Sequence, residues 1–366
     1  MVATTHVWIV VVILAAAGVG GVGFFTGYEY RGSPAAHSSS AEARTLSVLA
    51  AGSLVGIFPS LADALVNETP GITAPAASQT YEGSLDVTTA VSTLAVKADV
   101  AAVADYRLIP SLLEPKYANY EVIFGETPEV LVYNASISAF DDLTTSNWGT
   151  TLVSAITAGG SVAPFAVWNA STDPNGYNEI FDMMLQGMLY GGGDISQIYG
   201  HFYSGSEGGY ATPVKGVTLI EHESDAATLI KTGVVSALIT YRAYAIAEHL
   251  TYLPLDPIVG LASNNTTALG DYAKLSTEII SSSGSLVPVV PAPVLFAATV
   301  PLDAPNATLG EAFLHLLDSP QGEAMLSAGG AFTPIFPAWT DNPKAVPSVL
   351  APDVTTMPTW ASNLLT

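Results

Sequence analysis

Cysteine is absent from the 366 residues of this sequence. Its absence excludes disulfide bonds, cysteine-ligated zinc or iron–sulfur centres and catalysis by a thiol. Basic residues are also scarce, because 10 Lys and Arg stand against 32 Asp and Glu, which gives a formal net charge of −22 at pH 7. Nucleic acids and anionic membrane surfaces both require clusters of basic residues. The composition therefore argues against nucleic acid as a partner.

Charge of either sign is low, since only 11% of the residues are charged, against ~25% in typical soluble proteins. A surface hydrated mainly by Ser, Thr, Asn and Gly does not expand by charge repulsion when its carboxylates are protonated. This favours an acidic exterior, and a glycosylated surface that needs little charge is a compatible alternative. Six Asn-x-Ser/Thr sequons point the same way, towards an extracytoplasmic glycoprotein; they begin at Asn67, Asn134, Asn169, Asn264, Asn265 and Asn306.

Sequence signatures of catalysis are lacking as well. There is no G-x-S-x-G elbow, no H-E-x-x-H pair and no Walker loop, and the six His are scattered. The acidic run EHE at 221–223 is interpreted as the charged start of a helix and not as a set of ligands. We therefore expect a protein that is not an enzyme and that needs no cofactor.

The N-terminal region contains one long apolar run. Residues 7–25 carry no charge and, at ~1.5 Å rise per residue, are just long enough to span a bilayer core. A cleaved signal peptide is the alternative, but the starting segment MVATTH lacks the basic residues that usually mark one. We expect residues 1–44 to be a membrane anchor or signal followed by a Ser-rich linker, with the globular part beginning near Thr45.

From Thr45 onward, short apolar runs alternate with amphipathic stretches, which is typical of an α/β fold. Helical spacing predicts a helix that follows the DPNGY segment and stops at the glycines 191–193, and a single helix over 311–326. The stretches 204–210 and 256–290 are predicted as loops or insertions. The length suggests about two domains. Strands are predicted at 46–50, 100–104, 129–134, 161–168, 236–241 and 294–301.

Three strand-to-helix junctions carry a serine, namely Ser53, Ser84 and Ser224. A serine at such a junction normally caps its own helix. Alternatively, several helix N-termini converge on one anion and offer it N–H groups and hydroxyls. The DPNGY segment at 173–177 reads as a turn on its own, and its Asp173 would repel an anion unless it were protonated or bound a metal at the anion's centre.

Several segments together resemble the archaeal-type tungstate/molybdate-binding proteins of ABC importers. The resemblance runs in order from about residue 46 to residue 338, and KADVAAVADYRLIP followed by PKYANY is its most specific part. The other matching segments are LSVLAAGSLVGIFPSLADAL, EGSLDVTTAVSTLAV, STDPNGY, LIKTGVVSALITYRAYA, YLPL and ATVPLDAPN.

The resemblance implies a two-domain, periplasmic-binding-protein-like α/β fold of class II with an interdomain cleft. Domain 1 would combine residues 46–125 with 304–350, and domain 2 would be 126–303. The family's oxyanion-binding positions fall here on Ser53, Ser84, Asp173, Asn175 (through its backbone N–H), Ser224 and Tyr241. Asp173 also matches one of two family carboxylates that add to the coordination of the tungsten or molybdenum atom.

The second family carboxylate is missing. It belongs to a Glu-Tyr-Arg motif that reads Thr240-Tyr241-Arg242 here, and a hydroxyl is not an equal substitute for a carboxylate ligand. Four- or five-fold coordination, or another oxyanion, thereby becomes more plausible. The resemblance implies an extracellular protein, anchored or processed at its N-terminal helix, that delivers tungstate or molybdate to an ABC permease. The alternatives are the same fold binding sulfate, phosphate or an organic anion, and a surface recognition protein that does not serve transport.

Overall fold

The computed structural model describes residues 44–157, 164–205 and 208–365, without the side chains of Ile156 and Ser224. The predicted anchor at 7–25 and its linker lie outside the described residues, as do residues 161–163 of one predicted strand. Within the described ranges, no helix is both long and apolar enough to cross a bilayer.

The strands and helices are numbered separately in chain order. The strands are β1 (Arg44–Thr45), β2 (Val48–Ala51), β3 (Ile72–Thr73), β4 (Gln79–Glu82), β5 (Val100–Val103), β6 (Val122–Glu126), β7 (Glu129–Tyr133), β8 (Ala166–Trp168), β9 (Tyr203–Ser204), β10 (Thr212–Pro213), β11 (Thr218–Ile220), β12 (Ala237–Tyr241), β13 (Tyr252–Pro254), β14 (Thr277–Ile280), β15 (Leu286–Val289), β16 (Leu295–Thr299), β17 (Thr333–Thr340) and β18 (Val354–Thr356). The helices are α1 (Phe58–Glu68), α2 (Ser84–Ser92), α3 (Trp148–Thr157), α4 (Pro174–Tyr190), α5 (Ser196–Phe202), α6 (Glu223–Lys231), α7 (Arg242–Ala247), α8 (Thr266–Tyr272), α9 (Ala307–Leu317), α10 (Pro320–Ser327) and α11 (Thr359–Ser362).

A seven-stranded mixed sheet forms the larger layer, in the order β18-β17-β6-β16-β5-β2-β4. Strand β2 pairs in parallel with β4 and β5, whereas β16 runs antiparallel to both β5 and β6. Every residue of β2, β5 and β16 is buried. These strands therefore read as continuous apolar runs, as expected where helices cover both faces of a sheet.

A second group of strands lies in the middle of the chain. Strand β7 pairs antiparallel with β12 and β13, and β8 pairs in parallel with β11. A bridge between Phe165 and Ala237 joins the β8–β11 pair to the three-stranded sheet β12-β7-β13. The chain passes from the large sheet into this group between β6 and β7, at Thr127 and Pro128. The predicted domain boundaries themselves stay a prediction, and all described residues belong to one compact unit, Glu42–Thr366.

An aromatic cluster fills the core beneath the large sheet. Phe58 of α1 packs edge-to-face on Phe313 of α9, with ring centroids 5.1 Å apart, and Phe296 of β16 packs in the same way on Phe332 at 5.0 Å. Tyr241, at the end of β12, packs edge-to-face on Phe296 at 5.3 Å. The second strand group is thereby tied to the core of the first.

Two predicted elements differ from the structure. The single helix expected over 311–326 is two helices, α9 and α10, because Pro320 lacks the N–H that a continuous helix needs. Ser319 between them caps α10 by accepting a hydrogen bond from the Gly322 N–H at 3.2 Å. The stretch 256–290, expected to be loop, contains α8 and the hairpin β14–β15.

Candidate functional site

Ser53 and Ser84 lie where strands of the large sheet end. Ser53 belongs to a single helical turn, Gly52–Leu54, that follows β2, and Ser84 is the first residue of α2. Both are buried, and neither hydroxyl caps its own helix. Ser84 Oγ accepts a hydrogen bond from the Ala104 N–H at 2.8 Å, whereas Ser53 Oγ has no hydrogen-bond partner. The capping role usual for such serines is therefore not the role of these two.

Asp173 is the N-cap of α4, a helix that is buried throughout residues 174–187. Its Oδ1 accepts a hydrogen bond from the Asn175 N–H at 2.9 Å. Burial raises the pKa of Asp173 to about 7, against the opposing effect of the Asn175 N–H and with a further increase from the Asp86 carboxylate. This group is thus partly protonated at neutral pH. The Asn175 N–H, predicted to face an anion, is taken up by this cap.

The side chain of Asn175 lies between Thr240 and an acidic residue that the sequence analysis did not identify. With its amide oxygen accepting from Thr240, the Asn175 amide nitrogen donates to both carboxyl oxygens of Glu129 at 3.1 Å. Glu129 begins β7 and pairs in register with Tyr241. It is fully buried, and burial raises its pKa well above the usual range, with Asn178 opposing and Asp173 adding to the increase.

Tyr241 is fully buried at the end of β12. Its hydroxyl lies 3.5 Å from the side-chain nitrogen of Asn178. Burial raises the pKa of Tyr241 well above its usual value, and the nearby carboxyl groups of Glu129, Asp173 and Glu223 raise it further. The phenol therefore keeps its proton and can donate it to a hydrogen-bond acceptor.

Ser224 is the second residue of α6, and its side chain lies outside the described structure. Its neighbour Glu223 is buried and accepts a hydrogen bond from the backbone N–H of Ser53. The interpretation of 221–223 as the charged start of a helix fits Glu221 and His222, which are exposed. Helix α6 begins at Glu223, as this interpretation expects, but Glu223 is buried and its carboxyl group reaches the turn after β2.

Helix α4 carries further buried acidic residues on the face that bears Asn175. Glu179 accepts hydrogen bonds from the Trp168 N–H at 2.8 Å and from the Tyr203 hydroxyl, while neither oxygen of Asp182 has a partner. Burial raises the pKa of both carboxyl groups well above the usual range. The spacing Asn175, Glu179, Asp182, Gln186 places polar groups on one face of the helix. From that spacing, the row of polar residues along this face of α4 could have been predicted.

A buried ion pair adjoins the cluster. The Arg107 guanidinium donates to Asp105 through Nε at 2.9 Å and Nη2 at 2.7 Å, and to the Val290 carbonyl at 2.9 Å. The Tyr177 hydroxyl of α4 donates to Asp105 Oδ2 at 2.7 Å. Burial alone would raise the pKa of Asp105, but Arg107 and these hydrogen bonds hold it below its usual range. Beside this pair is a cavity of about 490 Å³ between α2 and the hairpin β14–β15.

The segments carrying the predicted residues meet closely. Gly83 leaves no room for a side chain, because a Cβ there would lie 2.2 Å from the Thr172 carbonyl oxygen and 3.3 Å from Asp173 Cβ. The Leu85 N–H donates to that same carbonyl at 3.1 Å. Ser53 is linked to the other predicted residues by Glu223, whose carboxyl group lies against the neighbouring Gly52. Burial raises the pKa of Glu223, and the nearby Asp173 and Glu129 raise it further.

The structure thus gathers the described predicted side chains into one buried cluster: Ser53, Ser84, Asp173, Asn175 and Tyr241. In the described structure, no Lys or Arg forms a hydrogen bond or ion pair with any of them. Among the described residues, no group of three His, Asp or Glu side chains is placed to hold a metal ion. The cluster offers hydroxyls, amides and buried carboxyl groups whose pKa values are raised by burial.

Comparison with known proteins places this site in context. The sequence profile described as "Bacterial extracellular solute-binding protein" matches residues 46–331. The molybdate/tungstate-binding protein WtpA of Pyrococcus abyssi is 27% identical over 253 residues, which cover 66% of this chain and 70% of that protein. A solute-binding protein of Methanoculleus marisnigri is 28% identical over 327 residues, which cover 85% and 88%.

Solved structures show the same fold at lower identity. The sulfate-binding protein SubI of Mycobacterium tuberculosis superimposes with a TM-score of 0.50 at 12% identity, over 85% of this chain and 90% of that one. A periplasmic thiamin-binding protein superimposes with a TM-score of 0.50 at 13% identity, over 80% and 83%. The predicted periplasmic-binding-protein-like α/β fold is therefore confirmed.

Proposed function

Because the chain belongs to the family of bacterial extracellular solute-binding proteins, we propose that it captures tungstate or molybdate and delivers the oxyanion to an ABC permease. Members of this family bind solutes and do not transform them, so the prediction that the protein is not an enzyme is confirmed. The likeness to the molybdate/tungstate-binding protein of Pyrococcus abyssi supports the choice of anion.

The observation that carries the proposal is the grouping of uncharged donors in the same buried cluster as Asp173. Ser53 Oγ is buried without a partner, and the Tyr241 hydroxyl keeps its proton. Ser84 Oγ accepts one hydrogen bond, so its O–H is available to donate. We propose that these groups, together with the α6 terminus at Ser224, hold the oxyanion in a class II interdomain cleft, and that Asn175 positions Asp173 and Glu129 beside it.

The carboxyl groups define which anion fits. A carboxylate repels an oxyanion, and a protonated carboxyl group donates a hydrogen bond to it. Asp173, with its pKa near 7, can serve either as a donor or as an oxygen ligand to the central metal atom of the oxyanion. Thr240 cannot supply a second carboxyl group, but Glu129 reaches the same place from the neighbouring strand. We propose Glu129 as that second carboxyl group.

A second candidate is the same fold binding sulfate or phosphate. It is favoured by Thr240, which stands where the resembling family has a carboxylate ligand specific to tungsten and molybdenum. The central atoms of sulfate and phosphate are not metals and take no additional carboxylate ligand, so these anions need only hydrogen-bond donors.

Calorimetric titration of the full chain with tungstate, molybdate, sulfate and phosphate, at pH 5 and pH 7.5, tests the proposal. We expect tungstate or molybdate to bind at least about tenfold more tightly than sulfate, a difference of roughly 1.4 kcal/mol. Asp173→Asn should weaken binding, whereas Asp63→Asn, on the exposed side of α1, should not. Sulfate binding as tightly as tungstate would favour the second candidate, and no binding of any anion would contradict both.

The proposed location of the protein in the cell rests on its apolar N-terminal segment. We propose that residues 7–25 hold the protein at the extracellular face of the cell membrane, with the sequons facing outward as acceptors of glycan. Fractionation of cells expressing the full chain checks this, since an anchored protein stays with membranes after a high-salt wash and is released by detergent. Release by salt alone would contradict anchoring.

A further inference from the structure

The cavity of about 490 Å³ between α2 and the hairpin β14–β15 is separate from the oxyanion cluster. It is not lined by any of the predicted oxyanion residues whose side chains are described, namely Ser53, Ser84, Asp173, Asn175 and Tyr241. Its volume falls within the ~300–1,000 Å³ typical of pockets that hold small molecules. The cavity is therefore large enough for a ligand of its own.

Aliphatic side chains form most of the cavity wall. They come from α2 and the segment after β5 on one side and from the hairpin on the other: Leu85, Leu108, Leu112, Ile279, Val287 and Val289. Ile279 and Val287 are paired in register across the hairpin, so they lie on the same face of it. Walls of this kind favour an alkyl chain, because its transfer out of water lowers the free energy.

Arg107 brings unused hydrogen-bond donors to the cavity. A guanidinium carries five N–H donors, and Arg107 uses three of them: Nε and Nη2 donate to Asp105, and Nη1 donates to the Val290 carbonyl. One N–H on each Nη atom has no partner in the described structure. Arg107 lines the cavity and 13% of its side chain is exposed, so a ligand in the cavity can accept from these donors.

The carboxylate beside Arg107 is already occupied. Asp105 accepts from the guanidinium, from the Arg107 backbone N–H at 3.0 Å and from the Tyr177 hydroxyl at 2.7 Å. A planar guanidinium that holds one carboxylate along its Nε–Nη2 edge can still donate elsewhere. Ser171 adds a hydroxyl to the same wall. The groups left over are donors, and they require an acceptor on the ligand.

We propose that this cavity binds a small aliphatic carboxylic acid in its ionised form. The carboxylate accepts from the free N–H groups of Arg107, and the alkyl chain lies between the leucines and the hairpin. An inorganic oxyanion would leave the aliphatic walls unused, whereas a hydrocarbon would leave the donors unpaired. A ligand that satisfies both has one anionic head and one apolar chain. This second site does not depend on the proposed function.

Calorimetric titration of the full chain with acetate, butanoate and hexanoate at pH 7.5 tests both features. We expect the affinity to rise about fourfold for each added methylene, because each is buried against the walls. Hexanamide, which has the same shape without the charge, should bind about tenfold more weakly than hexanoate. Equal affinity for acetate and hexanoate, or for hexanoate and hexanamide, would overturn the proposal.

Arginine signals locate the bound acid. The sequence contains four arginines, at positions 31, 44, 107 and 242, so ¹⁵N-arginine labelling of the full chain gives few side-chain signals. Arg107→Lys identifies the Nε–H signal of Arg107 by its loss. Hexanoate should shift that signal and leave the signal of Arg242 in place. Saturation with hexanoate without a shift at Arg107 would overturn the assignment.

Leu112→Asp tests the cavity without touching the buried ion pair. Leu112 lines the cavity and is exposed, so the variant should fold. A carboxylate at this position repels the bound acid, and we expect hexanoate affinity to fall about tenfold. Leu94→Asp is the matched control, because Leu94 is also exposed and does not line the cavity. An equal effect of the two substitutions would contradict binding in the cavity.

Competition with tungstate distinguishes the two sites. Hexanoate should bind equally well with and without saturating tungstate, since the two ligands contact different residues. Displacement of hexanoate by tungstate would place the acid in the oxyanion cluster and overturn this inference. Failure of tungstate to bind would contradict the proposed choice of anion, while the hexanoate series and the Arg107 signal would still decide this one.

Discussion

Ser53 combines burial with the lack of a hydrogen-bond partner. Leaving such a hydroxyl unsatisfied costs about 1–3 kcal/mol of folding free energy. The proposed function assigns this hydroxyl to the ligand. Ser84 differs, because its Oγ already accepts from Ala104 and also helps to join α2 to β5.

Ser53→Ala is expected to separate binding from stability. Removing an unpartnered buried hydroxyl should leave the unfolding free energy unchanged or raise it by up to about 1 kcal/mol. Oxyanion affinity should fall about tenfold, because a hydrogen bond to a charged group is lost. Urea denaturation and calorimetric titration measure the two effects. Ser60→Ala, at an exposed position of α1, is the control, and a loss of stability at Ser53 without loss of affinity would contradict the assignment.

At this scale the sequence identified only part of the cluster. Ser53, Ser84 and Asp173 were predictable because each stands at a junction of a strand or loop with a helix. Glu129 and Glu223 were not, because each looks like an ordinary charged residue at the start of an element. Their burial depends on which segments pack over them, and that packing joins residues far apart in the chain.

Among the elements, strands were easier to predict than helix ends. The runs that became β2 and β5 are apolar throughout, and those that became β7, β12 and β16 are mostly apolar, so their positions follow from composition within a residue or two. The break between α9 and α10 was missed because apolar spacing continues across it while proline and serine end one helix and begin the next.

Ser319→Ala should therefore destabilise the protein. The substitution removes the side chain that caps α10 at the Gly322 N–H, and loss of a helix cap typically costs about 1 kcal/mol. Ser327 is exposed in the last turn of the same helix, so Ser327→Ala also removes a serine hydroxyl but leaves the helix cap in place. Equilibrium unfolding in urea should show a lower midpoint for Ser319→Ala alone, and equal midpoints would mean that the cap contributes nothing.

At the scale of the whole molecule, the described residues include several buried acids that form no ion pair with Lys or Arg. Burial raises the pKa of each well above its usual range, and the groups concerned are Glu121, Glu129, Glu179, Asp182, Glu223 and Asp318. Asp105 is an exception, because Arg107 lowers its pKa. In the unfolded chain all of these groups titrate near pH 4. At higher pH the folded protein therefore holds more protons than the unfolded chain.

Stability should accordingly fall as the pH rises. Where the folded state binds more protons, the free energy of unfolding decreases with increasing pH, so we expect a loss on the order of a few kcal/mol between pH 5 and pH 8. Urea denaturation across that range measures it. Glu121→Gln, which neutralises an acid with neither oxygen paired, should flatten the dependence, and Glu68→Gln on the exposed end of α1 should not. Greater stability at pH 8 than at pH 5 would contradict the expectation.

The contact between Gly83 and Thr172 has a consequence for timing. The Leu85 N–H of α2 donates to the Thr172 carbonyl in the loop before α4, and the Tyr177 hydroxyl of α4 donates to Asp105, which follows β5. These two bonds define a seam between α4 with its preceding loop on one side and α2 with Asp105 on the other. Any movement that separates the two sides must break both bonds, whether or not a solute is present. Under the proposed function, a captured solute whose release requires this opening would leave no faster than the seam opens, so two solutes of very different affinity would leave at similar rates.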